Sequence, residues 1–222
     1  MVTPMSRRRV AVLISGRGPN MAALIEAAQA PDYPAEIALV VSNRAAAAGL
    51  KIAAAAGIAT SVIDHSRYGT DREAFERDVQ EVLDARGVEL VCLAGFMRLL
   101  TPWFVGRWEG RLINIHPSLL PAFTGLDTHA RALEAGVRIH GASVHFVTSE
   151  LDGGPIIAQA AVPVLDTDTP ETLAARVLAA EHRIYPLALK LVAEERVRIV
   201  EGRCFIDGAV AEGVLTVPSQ IA

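Results

Sequence analysis

The fold is indicated first by one apolar stretch near the start of the chain, VAVLISG at residues 10–16. Five apolar residues in a row, ended by Ser15-Gly16, are typical of a parallel strand that is buried on both faces. A glycine-containing loop at residues 16–20 follows, and residues 21–30 then have the pattern of a helix. This order of strand, loop and helix predicts an α/β fold.

Downstream of this stretch, apolar runs that suit buried strands alternate with segments that suit helices. The sequence predicts strands at residues 37–41, 61–63, 88–94 and 111–115, and helices at residues 45–56 and 71–86. Gly57 and Gly87 directly follow the two helices, where a glycine is a favourable end. The alternation predicts a doubly wound, mostly parallel sheet of the Rossmann-like kind, with ligands at the carboxyl ends of its strands.

The second half of the chain has a different pattern, which predicts an antiparallel C-terminal part. Residues 142–147 and 155–164 suit two strands joined by a short loop. Residues 169–195 form one long helical stretch, in which Pro186 is a candidate kink or break. The tail from Val197 suggests a short hairpin.

The hairpin is expected to turn at Glu201-Gly202 or at Asp207-Gly208. With no linker or repeat in the sequence, we expect residues 1–222 to form a single domain. Its expected parts are an N-terminal half of about residues 9–110, a C-terminal half of about residues 111–200 and a tail of residues 201–222.

The composition is that of a folded globular protein, with 51% hydrophobic and 21% charged residues among 222. Lys and Arg number 21 against 25 Asp and Glu, which gives a formal net charge of −4. Nucleic-acid binders usually carry a basic excess, so we expect no nucleic-acid partner. No apolar run approaches the ~18 residues of a membrane span, so no membrane partner is expected either. Cys92 and Cys204 form no CxxC pair, which is typical of a cytoplasmic protein.

The loop GRGPN at residues 16–20 is the first candidate site. The N–H groups at the start of a helix bind anions, and glycines let the backbone approach a ligand closely. The dinucleotide fingerprint fails because Met21 occupies its third glycine position, and no Gly-Lys-Ser/Thr follows to complete a Walker motif. The loop therefore suits a single phosphate, with a tight turn capped by Asn20 as the alternative.

The second candidate is NIHPS at residues 114–118, which ends the fifth predicted strand. Residues two apart in a strand share a face, so Asn114 and His116 are expected to point the same way at the ligand-binding edge. A histidine can move a proton near neutral pH, and an asparagine amide can donate to a developing oxyanion. A hydrogen-bonded turn before Pro117 is the structural alternative.

The third candidate is Asp152, in the sequence LDGGP at residues 151–155. Asp-Gly-Gly is ordinary turn chemistry, so the residue alone indicates only a turn. It becomes a candidate because a carboxylate close to an imidazole stabilises the imidazolium. A hydrolytic triad of Ser118, His116 and Asp152 is a weaker alternative, because Ser118 lacks the context of a nucleophile elbow.

A metal site is a further alternative, because four of the six histidines lie within a short part of the chain: His116, His129, His140 and His145. No HExxH or other three-ligand spacing accompanies them, so no metal is expected.

The remaining candidates are one apolar segment and two charged residues. The segment at residues 96–100, FMRLL, could line a pocket for a flat ligand or belong to the core. Arg72 and Glu181 lie on predicted helices, where each alone suits a surface charge.

Taken together, these segments resemble the phosphoribosylglycinamide formyltransferases, a family of folate-dependent enzymes of purine synthesis. The resemblance covers residues 9–200 in order, and its matching stretches are residues 12–18, 93–98, 114–121, 143–147, 151–157 and 181–186. It implies the Rossmann-like formyltransferase fold. It also implies transfer of the formyl group of 10-formyltetrahydrofolate to the amine of N1-(5-phosphoribosyl)glycinamide, by direct attack of that amine and without a metal. It leaves monomer and homodimer both open.

The resemblance implies roles for individual residues. The catalytic residues would be Asn114, His116 and Asp152. The residues at the ribonucleotide phosphate would be Gly18, Pro19, Asn20 and Glu181. The residues at the formyl-folate would be Arg72, Met97, Arg98, Leu99, Leu100 and Val147, with the loop from Val147 to Asp152 around the pterin.

This chain departs from the family pattern in two places. Pro19 stands where the family commonly has serine, which removes an N–H and a hydroxyl from the phosphate loop, and Arg17 could compensate. Residues 122–127 differ from the usual basic, proline-containing and histidine-bearing version. Two related activities remain as alternatives: a formyltetrahydrofolate deformylase, which gives the formyl group to water, and a tRNA formyltransferase. From a different class, a non-catalytic phosphate- or nucleotide-binding module is a third alternative.

Overall fold

The computed structural model describes residues 7–208, which form a seven-stranded sheet covered by helices and a separate two-stranded pair. The strands are β1 (Arg8–Ile14), β2 (Ala35–Ser42), β3 (Thr60–Val62), β4 (Leu90–Leu93), β5 (Leu112–His116), β6 (Ile139–Phe146), β7 (Ile156–Pro163), β8 (Val197–Val200) and β9 (Arg203–Ile206). The helices are α1 (Pro19–Ala28), α2 (Gly49–Ala55), α3 (Arg72–Ala85), α4 (Pro102–Arg107), α5 (Thr128–Glu134) and α6 (Pro170–Ala193).

The sheet has the strand order β3-β2-β1-β4-β5-β6-β7. Strands β1 to β5 are parallel to one another, β6 is antiparallel to β5, and β7 is antiparallel to β6. This confirms the predicted doubly wound, mostly parallel sheet with an antiparallel C-terminal part. β1 lies between β2 and β4, so the direction of winding changes at its carboxyl end. Open α/β sheets bind ligands at such a switch point.

The apolar stretch of β1 is buried on both faces, as its composition predicts. Val10, Val12 and Ile14 belong to the core on one side of the sheet, where α1 and α6 pack. Ala11 and Leu13 belong to the core on the other side, with residues of α3 and α4. The alternation within one strand thus accounts for the two helical layers.

Two details of the helix prediction are wrong. The helix expected at residues 45–56 begins only at Gly49, because residues 45–48 form a turn in front of it. Of the kink or break considered at Pro186, the break is absent, because α6 continues through it to Ala193. Tyr185, Ala188 and Leu189 around the proline are fully buried. Packing on the sheet therefore outweighs the ~3 kcal/mol that a proline costs inside a helix.

Two short helices, α4 and α5, were not predicted. The hairpin of the tail is confirmed, and it turns at Glu201 and Gly202, which both have positive φ angles. Part of the expected tail, residues 209–222, lies outside the described residues. None of the helices formed by residues 7–208 has both the length and the apolar character needed to cross a membrane.

Candidate active site

The loop between β1 and α1 opens the site at the switch point of the sheet. Gly18 is the N-cap of α1 with a left-handed φ of 72°, and Pro19 takes the first helical position. No side chain caps the first turn of α1. Asn20 therefore is not the cap that the sequence suggested. A proline at this position is favourable because its missing N–H has no partner within the helix.

The side chain of Asn20 is buried and turns toward α6. Its Nδ2 donates to Oε2 of Glu181 at 2.9 Å. Burial raises the pKa of Glu181, and the bond from Asn20 opposes that rise. Glu181 is thus a buried carboxyl group beside the loop of residues 16–20, and its alternative as a surface charge is wrong. The Oδ1 atom of Asn20 is buried without a hydrogen-bond partner among the described residues.

His116 ends β5 and lies against Asp152, although 36 positions separate them in the chain. Nδ1 of His116 is 3.5 Å from Oδ2 of Asp152, and both side chains are less than a tenth exposed. The Nε2 atom of His116 lies 2.9 Å from the carbonyl oxygen of Phe123. A carbonyl only accepts, so Nε2 carries a hydrogen, and Nδ1 is the ring nitrogen that faces the carboxylate of Asp152.

Asp152 reaches His116 because the loop of residues 147–155 folds back over the sheet. The loop leaves β6 beside the start of β5, where Val147 donates to the carbonyl of Leu112. Asp152 itself has a left-handed φ of 51°, and the N–H of Gly125 donates to its Oδ2 at 2.8 Å. The carboxylate is therefore oriented by the backbone of a second loop.

Asn114 faces His145 on the neighbouring antiparallel strand, and the two residues are register partners. The Nδ2 atom of Asn114 is 3.3 Å from Nε2 of His145, whose Nδ1 lies 2.9 Å from the carbonyl oxygen of Phe146. His145 therefore donates through Nδ1 and accepts from Asn114 through Nε2. Burial lowers the pKa of His145, which favours this neutral form. One N–H of the Asn114 amide is fixed in this way, and the other stays available to a ligand.

Three of these contacts were missed by sequence reasoning. Phe123 and Gly125 act through backbone atoms, which leave no signature in the side chains. Both lie in the stretch of residues 122–127 that departs from the family pattern. His145 was considered only as one of four possible metal ligands. Its role becomes visible only when β6 is paired with β5.

The segment after β4, residues 95–101, forms a second wall at the same edge of the sheet. The N–H of Met97 donates to Oγ of Ser15, at the end of β1. Met97 and Leu99 are large apolar side chains that are 63% and 61% exposed. Leu100 and Val147 pack against one apolar cluster, and Arg98 is half-buried.

Arg72 lies exposed at the first position of α3. Arg72 lies one turn of α3 before Glu76, whose carboxylate accepts from the N–H of Thr101 at the end of the segment of residues 95–101. An exposed apolar surface with a flanking arginine is suited to a flat ligand that carries negative charge.

The structure does not favour a hydrolytic triad. The hydroxyl of Ser118 donates to the carbonyl of Ala122, and not to His116.

Two of the four histidines considered as metal ligands pack against each other. His129 and His140 lie edge to face with ring centroids 5.5 Å apart, and burial lowers the pKa of His140 to about 4. Within residues 7–208, no three side chains of His, Cys, Asp or Glu are grouped to hold a metal ion.

Comparisons with known proteins agree on one family. The sequence profile of the formyl transferase family matches residues 8–189. The phosphoribosylglycinamide formyltransferase of Escherichia coli is 47% identical over 90% of this chain and 93% of its own length. The trifunctional purine biosynthetic protein adenosine-3 of Gallus gallus is 55% identical over 87% of this chain. This chain spans about a fifth of that trifunctional relative, 19% of its length.

A solved structure shows the same architecture. Glycinamide ribonucleotide transformylase 1 of Symbiobacterium toebii superposes with a TM-score of 0.87 and 48% sequence identity, over 90% of this chain and 94% of that one.

Proposed function

This chain belongs to the formyl transferase family and, within it, to the phosphoribosylglycinamide formyltransferases, and from that membership we propose what it does. It transfers a formyl group from 10-formyltetrahydrofolate to the amine of N1-(5-phosphoribosyl)glycinamide, a step of purine biosynthesis. The observation that carries the proposal is the position of His116, whose Nδ1 lies 3.5 Å from Asp152. His116 ends β5, the strand that also carries Asn114.

The phosphate of the ribonucleotide would bind at the start of α1. Gly18 brings the backbone close through its left-handed conformation, and the helix N-terminus supplies donors and a positive dipole. Pro19 removes one N–H from this group but leaves those of Asn20 and Met21. The buried carboxyl group of Glu181 would then accept from a hydroxyl group of the same substrate.

The folate would bind between the segment after β4 and the loop around Asp152. The apolar side chains of Met97 and Leu99 suit the flat ring system, and their exposure leaves them available for it. Arg98 lies between Met97 and Leu99 in this wall, and Arg98 and Arg72 would bind the carboxylates of the folate tail. In this arrangement the formyl group would lie near the end of β5.

In the reaction, the amine attacks the formyl carbon, a carbon–nitrogen bond forms, and the bond from that carbon to the folate nitrogen breaks. The second N–H of Asn114 and the proton on Nδ1 of His116 stabilise the negative oxygen that develops. A proton passes from the attacking amine to the leaving nitrogen, through His116 or a bound water. Asp152 orients the ring of His116 and faces its charge. Neither a metal nor a covalent enzyme intermediate is required.

These groups account for part of the rate by ordinary effects. General acid–base assistance contributes roughly 10²–10⁴-fold. Loss of one donor to an oxyanion costs about 10²–10³-fold in comparable sites. The remainder would come from holding two substrates in one orientation, which the two walls of the site support.

The decisive experiment measures release of tetrahydrofolate from 10-formyltetrahydrofolate, with and without the ribonucleotide and in the presence of a chelator. Release that depends on the ribonucleotide is the expected result. Equal release without it would mean that water is the acceptor, and the chain would then be a deformylase. No release from a folded chain would reject the transferase and leave a binding module, a different acceptor or a metal-dependent activity.

A further inference from the structure

A buried carboxylate joins α3 to the segment of residues 95–101, outside the residues so far assigned to the site. Glu76, on α3, is 1% exposed. Its Oε1 accepts from the backbone N–H of Thr101 at 2.7 Å, and its Oε2 accepts from the hydroxyl of the same residue. Burial raises the pKa of Glu76, and the two bonds from Thr101 oppose that rise.

Thr101 is the point at which the segment ends and α4 begins. It is the N-cap of α4, and its hydroxyl oxygen accepts from the N–H of Phe104. Glu76 therefore fixes both the backbone and the side chain of this junction. Because a buried carboxylate without its donors is costly, the position of the junction is tightly determined.

The other end of the segment is also held from outside. Ser15, at the end of β1, accepts from the N–H of Met97 at 2.8 Å and donates its own N–H to Gly95. The exposed side chains of Met97 and Leu99 thus lie on a short piece of backbone that is pinned at both ends. A rigid apolar surface loses little entropy when a flat ligand binds to it.

We propose that Glu76 is a positioning residue for the formyl donor: by fixing Thr101, it holds the wall formed by Met97 and Leu99 in the shape that binds folate. Glu76 does not touch the donor and acts only through this segment. The proposal rests on the proposed function, since it takes this wall to be the folate side. It predicts an effect on one substrate and none on the other.

The test measures KM for each substrate, and Kd for folate by direct titration, in the full chain and its Glu76→Ala variant. Removal of the anchor, which breaks both hydrogen bonds from Thr101, is expected to raise Kd and KM for the folate by about tenfold, which corresponds to ~1.4 kcal/mol. The KM for the ribonucleotide should stay within about twofold, because the hydrogen bonds of Glu76 go to Thr101 and not to the loop at Gly18. Glu76→Gln retains an acceptor for the Thr101 N–H, and it should restore folate affinity.

A matched control distinguishes positioning from general loss of stability. Gln80 lies one turn further along α3, is buried, and accepts from Nε1 of Trp108 at 2.8 Å. Gln80→Ala should lower the melting temperature and leave folate affinity unchanged. Equal losses of folate affinity in Gln80→Ala and Glu76→Ala would overturn the proposal, as would wild-type folate affinity in folded Glu76→Ala.

A second variant serves if Glu76→Ala does not fold. Thr101→Val removes the hydroxyl bond to Glu76 together with the cap at Phe104, keeps the backbone bond to Glu76, and should raise Kd for folate by about threefold. Unchanged folate affinity in this variant would also count against the proposal. Failure of the proposed function would show in the wild-type chain, as folate binding without ribonucleotide-dependent transfer. A wild-type chain with no folate affinity would overturn both.

Discussion

The Nδ1 atom of His116 lies 3.5 Å from Oδ2 of Asp152, and both side chains are almost completely buried. The opposite nitrogen of the ring is committed to the carbonyl of Phe123. Rotation of the ring would therefore break its contacts with Phe123 and Asp152, and loss of the hydrogen on Nε2 would break the bond to Phe123. The pair is arranged so that one ring nitrogen is bonded to the backbone and the other faces the carboxylate.

Asp152→Asn should therefore lower turnover by about 10²–10³-fold, because an amide cannot face the imidazolium as an anion does. His116→Ala should lower it at least as much. Both variants should keep the circular-dichroism spectrum of the wild type. Asp166, an exposed carboxylate near Arg138, provides the control, and Asp166→Asn should turn over normally. Normal turnover in Asp152→Asn would remove that residue from the mechanism.

Asn114 and His145 should behave as one unit. His145→Phe removes the acceptor that fixes the Asn114 amide, so turnover should fall by about tenfold as the amide loses its orientation. Asn114→Ala should cost about 10²–10³-fold, as for other oxyanion donors. The double variant should be no slower than Asn114→Ala alone, because His145 acts through Asn114. Additive losses in steady-state kinetics would show that His145 has a separate role.

Much of the fold could be predicted because it depends on patterns that are local in sequence. The continuous apolar run of β1 is itself the evidence for a strand buried on both faces. The helices α4 and α5 were missed because six and seven residues are too few to establish a helical period. The side chain of Thr101 caps the start of α4, but that of Asp127 makes no capping bond at the start of α5.

The candidate site was only partly predictable for a related reason. Asn114 and His116 could be placed together because a strand has a period of two. The bond from Thr101 to Glu76 spans 25 positions and the contact of Asn114 with His145 spans 31, so neither leaves a periodic signal. Asp152 reaches its partner only because its loop folds back, which turn chemistry alone does not specify.

Gly18→Ala tests the loop at the start of α1. Gly18 has a φ of 72°, and an added Cβ would lie 3.2 Å from Cε of Met21 and 3.4 Å from Cα of Gly49. The left-handed strain should lower the free energy of unfolding by about 1–2 kcal/mol, and the shifted backbone should raise KM for the ribonucleotide severalfold. Kinetic and denaturant titrations measure the two effects.

The control for this variant is Gly57→Ala. Gly57 has a similar φ of 75°, and an added Cβ there would meet nothing within 4 Å. It should therefore lose comparable stability and keep the wild-type KM. Equal values of KM for the ribonucleotide in the Gly18 and Gly57 variants would show that the loop at Gly18 does not bind the phosphate.

Glu181→Gln should raise the stability of the fold and weaken binding of the ribonucleotide. Burial raises the folded-state pKa of Glu181, so between its ordinary and its raised value the folded chain binds more protons than the unfolded chain. The free energy of unfolding then falls as pH rises through that window, and the charged carboxylate is a cost at neutral pH. Glu181→Gln keeps an acceptor for Asn20 and should melt higher than the wild type at pH 7, by a margin that shrinks on acidification, while KM for the ribonucleotide rises about tenfold. Glu134→Gln, on an exposed part of α5, should change neither quantity. A Glu181→Gln variant that melts lower than the wild type at pH 7 would show that this carboxylate stabilises the fold.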